Sequence, residues 1–206
     1  MSALGQQEIR KRLAKDLVVS PLLSIDQVGG SSVDLRMGTV VLMARAGRQS
    51  HVDPAAYREP QTHNDRESKR QKHERFPIPF KESFLLHPGA LALVPTLEWI
   101  QIPVDLQGVV TARSSWAREG LNIATATIIN PGYEGIITLE LANFGEIPIQ
   151  LYPGLRIAQL ALYELNMGDK KFSQPVLSQF NLAFEPTAGN LLKNDDKFIS
   201  TRSAIR

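Results

Sequence analysis

From Phe84 to Leu165 the chain sets short apolar and β-branched runs between turn formers: Ala90–Val94, Gly108–Thr111, Ile123–Ile129, Ile136–Leu141, Ile147–Leu151 and Ile157–Tyr163. Short strands between frequent turns predict a sandwich or barrel rather than helices packed on a parallel sheet. Three turns share one chemistry: His87-Pro88-Gly89, Asn130-Pro131-Gly132 and Tyr152-Pro153-Gly154. Proline presets φ at the first central position and glycine supplies positive φ at the second, so each reads as a type II turn. A Greek-key or jelly-roll-like β fold follows.

Two places carry a helical period instead. Ile9, Leu13 and Leu17 recur every four residues among charged and amide side chains, which predicts a short amphipathic helix ending before Pro21. In Arg113-Ser114-Ser115-Trp116-Ala117-Arg118-Glu119-Gly120 the serine start can cap and Gly120 suits the left-handed position after a helix end, so a small helix at 114–119 is expected between strands. Ahead of the β region, Gly29–Gly38 brackets a strand-like run that carries a paired acid and base, Asp34 and Arg36. Residues 44–80 are polar, with one charged helix expected near Asp65–Glu74, and read as a surface excursion. Residues 166–206 read as a tail ordered by packing on another surface.

Composition narrows the chemistry. The 206 residues suffice for one core-forming domain, and the absence of cysteine removes disulfides, thiol nucleophiles, iron–sulfur clusters and thiolate zinc sites. The four histidines, His51, His63, His73 and His87, lack the spacing that puts two imidazoles on one helix face, so no metal site is expected. Net charge is +2, from 23 basic and 21 acidic residues, which gives no general attraction to nucleic acid or membrane. No apolar run approaches a bilayer span and Glu8–Lys15 is charged where a signal peptide would be apolar, so a cytoplasmic protein is expected.

Two features stand above this background. The serines, the helix start and the guanidinium groups of Arg113 and Arg118 can make an anion cradle, or merely a capped surface helix. Alternation places Ile136, Thr138 and Glu140 on one face of a strand and Ile137, Leu139 and Leu141 on the other. Glu140 either faces water or, roofed by a ligand or a neighbouring chain, becomes a general acid or base. Spacing alone leaves both open.

Four ordered segments then resemble the dCTP deaminase family of the trimeric dUTPase-like fold: Thr111–Leu121, Ile129–Gly135, Ile137–Leu141 and Pro153–Leu160. The similarity reaches back through Leu85–Pro88 and Gly30–Gly38 to the first helix. It implies a dUTPase-like β domain over residues 1–165, a distorted jelly-roll-like barrel, and homotrimers with active sites between subunits. It implies hydrolytic deamination of dCTP to dUTP and ammonia, with no catalytic cofactor and Mg²⁺ carried only by the nucleotide. By the same resemblance Arg113, Ser114, Ser115 and Arg118 grip the triphosphate, and Ser114 helps position the water. Glu140, in the segment Thr138-Leu139-Glu140 at the nucleotide, moves the proton, Gln159 contacts the nucleotide, and Thr125 with Ala126 wraps the cytosine. The tail at 166–206 would be a lid or a subunit-packing segment.

The chain departs from the family in three places. Asn130 stands where the family usually has an aspartate that holds the deoxyribose; an amide can hydrogen-bond a hydroxyl but cannot act as a base. The loop between Gly120 and Thr125 is one residue short and lacks a histidine, and the tail has no match to the family's phosphate lid. The alternatives are a dUTP diphosphatase or bifunctional deaminase–diphosphatase, which Asn130 disfavours, and a non-catalytic trimer that binds dCTP, dUTP or dTTP.

Overall fold

The computed structural model describes residues 2–44, 73–123, 127–166 and 180–186. Among these described residues thirteen strands, β1 Ser2–Ala3, β2 Val18–Ser20, β3 Ser32–Arg36, β4 Val40–Ala44, β5 His73–Pro77, β6 Phe84–Leu86, β7 Leu91–Gln101, β8 Leu106–Ala112, β9 Leu121–Ile123, β10 Ile128–Ile129, β11 Glu134–Asn143, β12 Ile149–Leu151 and β13 Arg156–Glu164, accompany two α-helices, α1 Gln6–Leu13 and α2 Ser114–Arg118. All ladders are antiparallel: β1-β13-β8-β10 with β3 also on β13, β5-β4-β7-β11-β9 with β2 also on β7, and β12 with β6. The expected mainly β class is met.

The core lies between the two larger sheets and is filled by alternate strand residues, among them Val33, Leu35, Val94, Ile100, Leu139, Leu141, Leu160 and Leu162. Helix α1 adds Ile9 to it and is tied down by Arg12, whose guanidinium donates to both carboxylate oxygens of Asp105 at 2.8 and 2.6 Å. A bidentate charge-assisted pair of this kind fixes orientation as well as distance. Arg12 holds the Asp105 carboxyl below its usual range.

The three Pro-Gly turns form as expected, with Gly89, Gly132 and Gly154 at φ 72°, 75° and 91°. Each closes with the predicted bond, the amides of Ala90, Tyr133 and Leu155 donating to the carbonyls of His87, Asn130 and Tyr152.

Strand β7 runs well past the expected Val94 because its Pro95 is placed where a ladder tolerates it. The register shifts there: Ile136 faces Trp99 and Thr138 faces Pro95, so β7 carries extra residues as a bulge. The Thr96 hydroxyl stitches this bulge, accepting from the Ile137 amide at 3.0 Å and donating to the Glu98 carbonyl at 2.8 Å. Gly38 is required at the same place, since a Cβ there would lie 2.8 Å from the Pro95 carbonyl oxygen.

Three expectations are corrected. His73–Pro77, read as part of a polar excursion and partly as helix, is a strand paired with Val40–Ala44; residues 45–72, which hold the remainder of the charged helix, lie outside the described residues. The run Ile123–Ile129 is not one strand: β9 pairs with β11 and β10 with β8, so the chain crosses between sheets here. The serines do not cap α2, because Arg113 occupies the capping position and no side chain bonds to the free amides. Ser114 and Ser115 are instead its first helical residues, and both are exposed.

Candidate functional site

The end of β8, the start of β13 and β3 lie side by side, with Gln159 opposite both Thr111 and Asp34. Alternation buries Val33, Leu35, Val110 and Leu160 and turns Thr111, Gln159 and Asp34 to the outer face. Gln159 donates its amide to the Thr111 hydroxyl at 3.1 Å. Arg113, two residues beyond Thr111, reaches Asp34 with Nε 3.2 Å from Oδ1, and Arg156 approaches the other carboxylate oxygen at 3.6 Å. Two guanidinium groups thus share one carboxylate.

Helix α2 hangs from this row. The Arg113 amide donates to the Ile157 carbonyl, and the Trp116 indole donates to the Arg156 carbonyl, each at 3.0 Å. At the other end Gly120 turns back with φ 89° and accepts from the Phe144 amide at 2.9 Å. A side chain at Gly120 would meet the Gly145 nitrogen at 2.6 Å, so glycine answers both a conformational and a steric demand. Ser114, Ser115 and Arg118 are exposed, as an anion cradle requires.

Glu140 sits on β11 in the other sheet, opposite Leu93. Ile137, Leu139 and Leu141 are locked in the core, and Thr138 and Glu140 are half-buried on the opposite face, the register that alternation predicted. Leu139 is therefore a core residue, and any contact it makes to a nucleotide is through its backbone. Among the described residues no hydrogen bond or ion pair joins Glu140 to Arg113, Ser114 or Arg118 within one chain. Asn130 is exposed on the turn between β10 and β11. Thr125 and Ala126 lie outside the described residues.

Sequence reasoning missed the buried network behind this row. Glu98 is fully buried; it accepts from Arg36 Nε at 2.6 Å, from the Arg36 amide at 2.9 Å and from Gln27 at 3.3 Å. Arg36 also donates to the Pro21 carbonyl at 2.7 Å. Asp34 and Arg36, read as a pair, do not pair with each other: Asp34 turns outward to Arg113 and Arg156, and Arg36 turns inward to Glu98. A single acid inside the apolar stretch Leu91–Ile102 was the available signal, since a carboxylate in that setting must find a partner.

An antiparallel β scaffold whose outer row carries paired guanidinium groups, a glutamine and exposed serines defines a mainly β protein with a polar, cationic face suited to an anionic ligand. Comparison with known proteins agrees: a family profile described as dCTP deaminase-like matches residues 3–165. A protein of Halorubrum lacusprofundi described as dCTP deaminase is 41% identical over 171 residues, covering 82% of this chain and 80% of that one. One of Methanobrevibacter smithii, described as dCTP deaminase, dUMP-forming, is 36% identical over 162 residues, covering 78% and 79%. The crystal structure of the deoxycytidine triphosphate deaminase of Agrobacterium tumefaciens superposes with a TM-score of 0.59 at 25% identity, over 79% of this chain and 48% of that one. The chain belongs to the dCTP deaminase-like family.

Proposed function

We propose that the protein deaminates dCTP hydrolytically, releasing dUTP and ammonia, and that it acts in the cytoplasm on nucleotide presented as its Mg²⁺ complex. The observation that carries this reading is the placement of Glu140, half-buried on a strand whose neighbours cannot shift without leaving the core. In the reaction a water attacks C4 of the cytosine. Glu140 takes a proton from it and passes protons to the ring and then to the leaving amine, so that the C4–N bond breaks as the carbonyl forms. Arg113, Ser115 and Arg118 hold the triphosphate, Ser114 orients the water, and Gln159 and Asn130 contact the nucleotide. Fixing substrate by its phosphates converts the attack into an intramolecular event, a large part of the rate gain open to such a site.

Glu140 has no hydrogen bond or ion pair to Arg113, Ser114 or Arg118 among the described residues of one chain, although β9, which follows α2, pairs with the strand of Glu140; on this reading the site is completed between copies in a homotrimer. The segment beyond residue 165 would close or pack that site. Deoxynucleotides incubated with the purified protein and separated by chromatography test the reading: ammonia and dUTP from dCTP are expected. Binding of dCTP with no product would overturn it.

The description of the Methanobrevibacter relative favours one second reading, in which dUTP is hydrolysed further to dUMP and pyrophosphate. Asn130 argues against it, because its amide cannot serve as a base. Pyrophosphate release from dCTP distinguishes the two.

A further inference from the structure

The carboxylate of Asp34 is the one acidic group that faces the guanidinium of Arg113 among the described ion pairs, and its side chain is only 14% exposed. The residue is held from both sides. Its carbonyl accepts from Gln27 at 3.2 Å, its strand position is paired with Gln159, and two residues on Arg36 is clamped to the buried Glu98. Its oxygens then divide between two cations, Oδ1 at 3.2 Å from Arg113 Nε and Oδ2 at 3.6 Å from Arg156 Nη1. Without a carboxylate between them, two guanidinium groups repel each other and each samples more rotamers.

We propose that Asp34 is a positioning residue for phosphate recognition: it holds Arg113 through Nε, so that the terminal nitrogens, not spent on that contact, are presented to the polyphosphate. The inference rests on reading Arg113 as a phosphate ligand. Removing Asp34 has two opposed effects. It frees Arg113 to wander, which weakens anion binding, and it removes a negative charge, which strengthens long-range attraction. Physiological salt screens attraction beyond about 8 Å, so the affinity of the variants reads the balance at Arg113 itself, where loss of positioning is expected to be the larger effect.

The test compares wild type, Asp34→Ala and Asp34→Asn at physiological salt by calorimetric titration with inorganic triphosphate and by steady-state kinetics with dCTP. Asp34→Ala is expected to weaken inorganic triphosphate binding about tenfold and to raise KM for dCTP by a similar factor, with kcat within about twofold of wild type. Asp34→Asn keeps shape and an acceptor oxygen and should recover part of that loss; it carries the test should the alanine variant not fold. Unchanged triphosphate affinity in both variants, or a fall in kcat at constant KM, overturns the proposal. Failure of wild type to bind inorganic triphosphate overturns it as well. A wild type that binds inorganic triphosphate but leaves dCTP intact instead defeats the deaminase reading, and the affinity series then decides the role of Asp34 alone.

Discussion

Arg36 and Glu98 meet 62 residues apart in sequence, with Nε 2.6 Å from Oε1 and side chains 8% and 0% exposed. Strand β3 is thereby joined to β7 by an ion pair that spans the two sheets, at the bulge that Pro95 introduces. The pair is satisfied on every side: the Arg36 amide and Gln27 complete the carboxylate, and the Pro21 carbonyl takes the far end of the guanidinium.

Breaking such a pair from one side leaves an uncompensated buried charge. Glu98→Ala is expected to lower unfolding free energy by about 3–5 kcal/mol in urea denaturation, while an apolar replacement of both partners, Arg36→Met with Glu98→Leu, recovers most of that loss. A double variant as unstable as the single one would mean that the stabilisation is specific to this ion pair.

Glu140 is half-buried and without an ion-pair partner among the described residues, so its removal costs the fold little. Glu140→Gln should lower kcat for ammonia release from dCTP by a factor of about 10²–10⁴ and change stability by less than about 1 kcal/mol. Full turnover by this variant would remove Glu140 from the chemistry.

Gly120 holds the exit of α2 at φ 89°, with no space for a side chain toward Gly145. Gly120→Ala should destabilise the protein by about 1–3 kcal/mol and lower its affinity for dCTP, because the strain falls on the segment that carries Ser114 and Arg118. Chemical denaturation and nucleotide titration measure the two effects separately.

Burial raises the phenol of Tyr133 from 10.0 to about 12. Its hydroxyl donates to the Ile136 carbonyl, so the folded state holds this proton more tightly than the unfolded state does. The stability so contributed is complete below about pH 10 and is lost as pH rises from about 10 to about 12, by at most about 1.4 kcal/mol per pH unit. Tyr133→Phe should abolish one late-titrating phenolate absorbance, and its stability gap to wild type should narrow over the same range.

The β-rich class, the three Pro-Gly turns and the inward face of β11 were legible because each depends on neighbours in sequence. Turn chemistry is local, and Ile137, Leu139 and Leu141 announce their face by alternation. What escaped depends on residues brought together by the fold. Pro95 ends a strand in isolation and is accommodated only because the Gly38 amide meets its carbonyl at 2.8 Å. Glu98 needs Arg36 from another sheet, and Asp34 looked paired with Arg36 because the two differ by two positions; burial of Arg36 separated them. The candidate site was legible as a set of side chains, through Glu140 and Arg113–Arg118. The acid between Arg113 and Arg156 was not, since three strands must first lie in register.

Ala44 and His73 stand opposite each other in the β4–β5 ladder, so the two ends that residues 45–72 must join lie at neighbouring positions of one sheet. Loop-closure entropy grows only logarithmically with the number of residues between such a pair. The position is therefore a natural splice point: foreign sequence inserted between residues 45 and 72 should leave every described strand with its present partner. A reporter or affinity sequence can be carried there while both chain termini stay untouched.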